Sequence, residues 1–133
     1  MTGAVRVPVV RDTDIVTARQ LGRELAAKTG FTGSDLTVIA TAISEVARNI
    51  ISYARTGEIR LNIATNGGRR GLLVVAQDHG PGIHDIDQAM RDGFSTGKSL
   101  GLGLPGARRL MDDFEIVSEV GKGTTVTMHK WLP

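Results

Sequence analysis

Three separated groups of residues in this sequence have the types and spacing to carry chemistry. Glu45 and Asn49 are four positions apart in a segment of helical periodicity, which predicts both on one helix face, about one turn apart. A carboxylate and an amide oxygen so placed could share Mg²⁺, or could divide general-base work from metal binding. The pair also fits a solvated polar face, since both residues lie away from the apolar stripe of the helix and need not belong to the core.

The second group follows the most apolar segment of the chain. Asp78 is followed by Gly80 and Gly82, so a carboxylate stands at a predicted strand end where the glycines let the backbone come close to a ligand. A plain turn is the alternative for this group taken alone.

The third group is a pair of glycines, Gly101 and Gly103, at the start of a predicted helix. Phosphate oxygens are stabilised at such a position by free N–H groups and by the positive end of the helix dipole. A glycine-rich loop without a ligand is the alternative. The neighbouring segments 93–99 and 101–106 approximate a P-loop and a dinucleotide fingerprint, but neither follows a strand, so both are rejected.

The elements that must position these groups are read from periodicity. An apolar segment at 5–10 containing a proline predicts an edge strand, and a helix is predicted from Asp14 to a glycine stop at Gly30. Thr32 and Asp35 form a predicted capping box for a long helix that runs to about Ala54 and ends before Gly57.

The second half of the chain predicts a hairpin, a loop, a helix and a second hairpin. Segments 59–63 and 72–76 flank a turn at 66–68, the second being a central strand, and a loop with one helical turn around 86–90 follows. A helix over 102–113 precedes a hairpin around 121–123. Because consecutive hairpins cannot build a parallel sheet, the order predicts an α+β fold with a largely antiparallel sheet and helices on one face.

Composition narrows the classes of function. With 16 basic and 14 acidic residues the net charge is only +2, and one Trp and one Tyr offer little surface for stacking bases, so no nucleic-acid partner is expected. There is no cysteine, and no apolar run approaches the length of a membrane span. We therefore expect one domain over residues 1–133, in the cytoplasm and without membrane contact.

The order of the groups resembles the ATP site of the GHKL superfamily, which contains gyrase, Hsp90, histidine kinases and MutL. Glu45 and Asn49 are similar to its N box, Asp78-x-Gly80-x-Gly82 to its first glycine box and Gly101-x-Gly103 to its second. The segment 121–124 is similar to the third. The resemblance implies a two-layer α/β sandwich (the Bergerat fold), with a mixed, mostly antiparallel sheet that binds ATP and Mg²⁺.

The resemblance also implies a role for each matching residue. Glu45 would be the catalytic base and Asn49 the Mg²⁺ ligand, while the stretch 84–100 would be a mobile lid. Asp78 would bind the adenine amino group. The remaining residues expected to contact the nucleotide are Gly80, Gly82, Ile83, Lys98, Gly101, Leu102, Gly103, Leu104 and Thr124.

Within the superfamily, the chain resembles the bacterial protein-serine kinases that act as anti-sigma or partner-switching factors in stress responses. Segments 18–23, 41–50, 93–96, 103–106, 109–112 and 130–132 carry this resemblance. It implies phosphoryl transfer from ATP to a serine of a STAS-domain antagonist protein. It further implies activation of a PP2C-type phosphatase through the N-terminal region of that enzyme. An anti-sigma kinase that sequesters a sigma subunit, and a non-catalytic nucleotide-binding adaptor, are the alternatives.

Overall fold

The computed structural model describes residues 4–83, 86–90 and 103–133. Within these ranges the elements, in chain order, are β1 (Val5–Val9), α1 (Asp12–Thr29), α2 (Ser34–Tyr53), β2 (Gly57–Asn66), β3 (Arg69–Asp78), α3 (Ile86–Ala89), α4 (Gly103–Leu110), β4 (Asp113–Glu119) and β5 (Gly123–Trp131).

The strands form one five-stranded sheet in the order β1-β2-β3-β5-β4. All four pairings among the described strands are antiparallel, so the α+β class is confirmed, while the parallel pairing that a mixed sheet would add does not occur among them. β1, with its proline, is an edge strand and β3 is central, as the sequence predicts. The hairpins β2–β3 and β4–β5 lie where the glycine turns predict them.

One face of the sheet carries the core. The register places Ile59 beside Ala76, and Ala76 beside Val126, so alternate residues of neighbouring strands point to the same side. These residues are buried in one cluster with apolar residues of α1, α2 and α4, including Ala18, Ile43 and Leu104. The helices therefore cover this face, which gives the two-layer arrangement expected from the sequence.

Helix α2 lies between α1 and α4 and packs on the sheet. Its buried residues cover more of its circumference than a single apolar stripe, and α4 packs against it in addition to α1 and the sheet. Glu45, which the sequence alone does not require to be in the core, is buried and only 6% exposed. Asn49 is half-buried.

Three predicted boundaries differ from the structure. α1 begins at Asp12 because Asp14 lies inside the first turn, where its carboxylate accepts the N–H groups of Val10 and Arg11. The predicted capping box of α2 is wrong: Gly33 precedes its first residue and no side chain caps that end. The last helix ends at Leu110, since the next residues join the sheet through Asp112, whose N–H donates to the carbonyl of His129.

None of the helices within the described residues is long and apolar enough to cross a membrane.

The alternation along the strands can be tested with two valines. Val74 on β3 is fully buried, whereas Val117 on the edge strand β4 is 60% exposed. We expect Val74→Ala to lower the free energy of unfolding by about 2–3 kcal/mol, since it removes buried methyl groups and leaves a cavity. Val117→Ala should change it by less than about 0.5 kcal/mol. Urea denaturation measures both, and equal effects would contradict the assignment of faces.

Candidate functional site

A row of four residues crosses one end of the sheet on the face that the helices cover. Gly57 lies opposite Asp78, and Ser118 lies opposite Thr124. Thr124 is next to Asp78 because Thr125 pairs with the residue that precedes Asp78. The row thus brings together one position from each of β2, β3, β5 and β4.

Asp78 is buried at the end of β3, being only 7% exposed. Its Oδ1 accepts hydrogen bonds from the backbone N–H of Gly80, at 3.0 Å, and of Thr124, at 3.2 Å. Within the described part of the chain no group pairs with Oδ2. Oδ2 is not among the fully enclosed, unpaired oxygens of the described residues, so it is an acceptor that stays open to a ligand that brings a donor.

The loop after Asp78 is attached to the hairpin turn between β4 and β5. The N–H of Gly121 donates to the carbonyl of Pro81 at 2.8 Å, and the N–H of Ile83 donates to Ser118 Oγ at 2.6 Å. Together with the bond from Thr124 to Asp78, these contacts hold the first and third glycine segments side by side. The sequence shows the two segments 40 residues apart and gives no sign of this attachment.

Glycines in this region are required by contacts within the protein. Gly82 has a φ of +79°, and a Cβ there would collide with the carbonyl of Glu119. A Cβ at Gly80 would collide with Ala54 at the end of α2, and one at Gly123 with the carbonyl of Asp78. The predicted nucleotide contacts of Gly80 and Gly82 stay predictions, but the close packing that builds the site already requires both glycines.

Glu45 lies on α2 in the half that runs toward Asp78. Ile50, slightly further along α2, lies against Gly57, the residue that pairs with Asp78, since a Cβ at Gly57 would collide with its side chain. Oε2 of Glu45 forms an ion pair with Arg48 at 3.1 Å, whereas Oε1 is buried and has no hydrogen-bond partner among the described residues. An unpaired buried acceptor costs about 1–3 kcal/mol, and a group retained at that cost calls for a functional explanation.

Asn49 follows Glu45 by one turn, and no described residue hydrogen-bonds to its side chain. No group of three or more His, Cys, Asp or Glu side chains able to hold a metal ion occurs within the described ranges. A Mg²⁺ held mainly by phosphate oxygens and water needs only one or two protein oxygens, and the amide of Asn49 fits that requirement.

Helix α4, which carries the second predicted glycine group at its start, packs against α2. Gly103 has a φ of +52° and begins the helix, and Leu104 is buried. This supports the predicted helix start but says nothing of the predicted contacts of Lys98, Gly101 and Leu102, which lie outside the described residues. The proposed lid falls largely outside them as well.

The sequence analysis did not identify two residues of the site, Arg48 and Ser118. Arg48 is three positions after Glu45, a spacing at which side chains on a helix meet, so that signal was present. Ser118 gave none, because its place depends on the register of β4 with β5.

A comparison with family models matches residues 9–130 to the histidine kinase-like ATPase domain. The chain therefore belongs to the family of histidine kinase-like ATPases, which confirms the predicted superfamily and gives it an ATP-binding domain. Among individual proteins, it is 50% identical over 126 residues to serine/threonine-protein kinase RsbT of Bacillus subtilis, covering 95% of each chain.

More distant relatives are named as anti-sigma factors. The anti-sigma F factor of Thermoanaerobacter sp. (strain X514) is 32% identical over 121 residues, covering 86% of this chain and 83% of its own. That of Clostridium kluyveri (strain NBRC 12016) is 31% identical over 102 residues, covering 72% and 70%. The prediction of a serine/threonine-protein kinase related to anti-sigma factors is confirmed at this level, and the roles of single site residues stay predictions.

The attachment of the loop to the hairpin predicts unequal costs for two glycines. Gly82 and Gly67 both have positive φ, but a Cβ at Gly67 would meet no atom within 4 Å. We expect Gly67→Ala to destabilise the protein by about 1 kcal/mol, the cost of left-handed backbone alone. Gly82→Ala should cost about 2 kcal/mol or more, because the loop must also leave the hairpin. Urea denaturation measures both, and equal losses would show that the loop does not depend on this close approach.

Proposed function

We propose that this chain is a single-domain protein kinase that transfers the γ-phosphate of Mg-ATP to a serine of a STAS-domain protein. The observation that carries the proposal is the unpaired, buried Oε1 of Glu45, on the helix that packs beside the Asp78 row. A module that only binds nucleotide has no need of a buried carboxylate with one oxygen held free.

The adenine would lie at the Asp78 row. Asp78 Oδ2 would accept a hydrogen bond from the exocyclic amino group, since Oδ1 is already engaged by two backbone N–H groups. Thr124, which is buried beside Asp78, would assist, directly or through water, together with the backbone at Gly80, Gly82 and Ile83.

The phosphates would lie between α2 and the start of α4. Backbone N–H groups at Gly101, Leu102, Gly103 and Leu104 would hold the phosphate oxygens, with Lys98 near the γ-phosphate. Asn49 would bind Mg²⁺, which neutralises the charge on the β- and γ-phosphates.

Glu45 would act on the attacking serine. Its Oε1 would accept the hydroxyl proton as the serine oxygen bonds to the γ-phosphorus and the bond to the ADP oxygen breaks. Arg48 would hold Oε2, so that the carboxylate presents Oε1 in one orientation.

The substrate and the switch are proposed from the group to which the chain belongs. A relative named as a kinase at 50% identity over 95% of both chains supports a protein serine as the acceptor. We propose that the STAS-domain protein also sequesters the kinase. The released kinase then binds the N-terminal region of a PP2C-type phosphatase and activates it, in the cytoplasm and as part of a stressosome pathway.

The anti-sigma F relatives favour a second candidate, a kinase that sequesters a sigma subunit. Incubation with γ-labelled ATP, Mg²⁺ and a STAS-domain protein of the same genome tests the first proposal, and capture of a sigma factor by the purified chain tests the second. Labelled serine without sigma capture supports the first. Sigma capture without labelled serine replaces the first with the second.

Asp78→Asn tests the adenine site. The amide can keep its oxygen at the Oδ1 position, and so keep both internal hydrogen bonds, while it places NH₂ where the adenine amino group needs an acceptor. We expect ATP affinity to fall by about 10²-fold or more. Isothermal titration calorimetry measures it, with Asp12→Asn, an exposed residue on α1, as the control. Unchanged affinity in a folded Asp78→Asn variant would remove Asp78 from the adenine site.

Glu45→Ala and Glu45→Gln test the base. We expect each to lower phosphoryl transfer by about 10²–10⁴-fold, the usual contribution of a positioned base, while ATP affinity stays within about threefold. Glu45→Gln keeps the shape of the buried side chain, so its effect reports the carboxylate. Single-turnover transfer of label measures the rate, and Glu24→Gln on the exposed side of α1 is the matched control. Transfer at near-normal rate by either Glu45 variant would exclude this residue from the mechanism.

A further inference from the structure

We propose that Ser118 is a positioning residue that orients the hydroxyl of Thr124 as a hydrogen-bond donor toward N1 of adenine. The proposal rests on the proposed function in one respect, namely that the base of ATP lies at the Asp78 row. Ser118 itself is on β4, opposite Thr124, and belongs to none of the glycine-containing segments.

Three groups surround Ser118 Oγ. The N–H of Ile83 donates to it at 2.6 Å, Thr124 Oγ1 lies at 2.8 Å, and the carbonyl of Gly123 lies at 3.3 Å. Ser118 thus connects the loop after β3, strand β5 and its own strand through one oxygen atom.

The acceptor to which Ser118 donates its hydroxyl proton determines whether the Thr124 hydroxyl is free to donate to a ligand. Hydrogen bonds from a hydroxyl to an oxygen are most favourable at about 2.7–2.8 Å. Ser118 therefore donates to Thr124 Oγ1 more favourably than to the more distant carbonyl of Gly123. When Ser118 donates to Thr124, one of the two lone pairs of Thr124 Oγ1 is engaged and the hydroxyl proton of Thr124 points elsewhere. No described residue accepts that proton, which leaves it for a ligand.

The resulting pair of groups is complementary to one purine. Asp78 offers an acceptor and Thr124 a donor, side by side in the row. The corresponding edge of adenine carries an amino donor beside the N1 acceptor. Guanine carries an O6 acceptor beside an N1–H donor, so it would place oxygen against the carboxylate and a donor against a donor. Asp78 and Thr124 are 7% and 5% exposed, and mismatched polar groups are costly where water cannot repair them.

The experiment compares two nucleotides on two proteins by isothermal titration calorimetry. The nucleotides are ATP and the analogue in which C–H replaces N1 of the base, and the proteins are the wild type and Ser118→Ala. We expect the wild type to bind the analogue about 10-fold more weakly than ATP. Ser118→Ala should bind ATP about 10-fold more weakly than the wild type does, and should bind the two nucleotides within about twofold of each other.

The four affinities distinguish a Ser118 that orients Thr124 from a Ser118 that only supports the loop. If Ser118→Ala weakens both nucleotides equally, Ser118 only holds the loop through Ile83, and the proposal is overturned. An unchanged ATP affinity overturns it as well. Thr125→Ala is the matched control, because Thr125 lies next to Thr124 but on the opposite face of the sheet, and we expect no change there.

Should Ser118→Ala fail to fold, Thr124→Val replaces it, since that variant keeps the shape and the backbone bond to Asp78 and should also fail to distinguish the two nucleotides. Equal binding of both nucleotides by the wild type overturns the inference while leaving ATP binding intact. A wild type that binds neither sinks the proposed function itself, and the inference with it.

Discussion

The burial of the Asp78 carboxylate at the end of the central strand constrains the rest of the site. A carboxylate that is 7% exposed must be given donors, and here they come from Gly80 and Thr124, on two segments far apart in the chain. Meeting that need brings the loop after β3 against the start of β5. The arrangement of the site is therefore a consequence of how one buried carboxylate is supplied with hydrogen-bond donors from the chain itself.

The buried carboxylate of Glu45 has partners of a different kind from those of Asp78. One oxygen of Asp78 accepts two backbone N–H groups, whose positions are held by the sheet and the loop. Glu45 has the flexible side chain of Arg48 on one oxygen and no partner for the other among the described residues. Rigid donors suit a group that recognises a base, whereas an oxygen kept free of donors can accept a proton. The two environments are therefore consistent with the proposed roles of Asp78 in binding adenine and of Glu45 as the base.

The sequence predicted the parts of the fold that depend on local periodicity. The long apolar stripe of α2, the alternation in β2 and the glycine turns of both hairpins are short-range signals, and the order of hairpins led to the antiparallel sheet. The burial of Glu45 was not predicted, because it depends on the tertiary packing around α2, which no pattern within α2 reports. Gly33, rather than Thr32, precedes α2, because capping patterns predict the first residue of a helix only to within a residue or so.

The glycine spacing shows most clearly why part of the site could be recognised and part could not. Gly80, Gly82 and Gly123 approach Ala54, Glu119 and Asp78 so closely that a Cβ would collide with each. The glycine spacing that marks the site in the sequence is thus required by contacts within the chain. The spacing therefore identifies the site even where a glycine makes no contact with a ligand. Ser118, by contrast, could not be recognised from the sequence, because a serine in a strand carries no distinguishing pattern. Only the register of β4 with β5 places it within hydrogen-bond distance of the Thr124 hydroxyl.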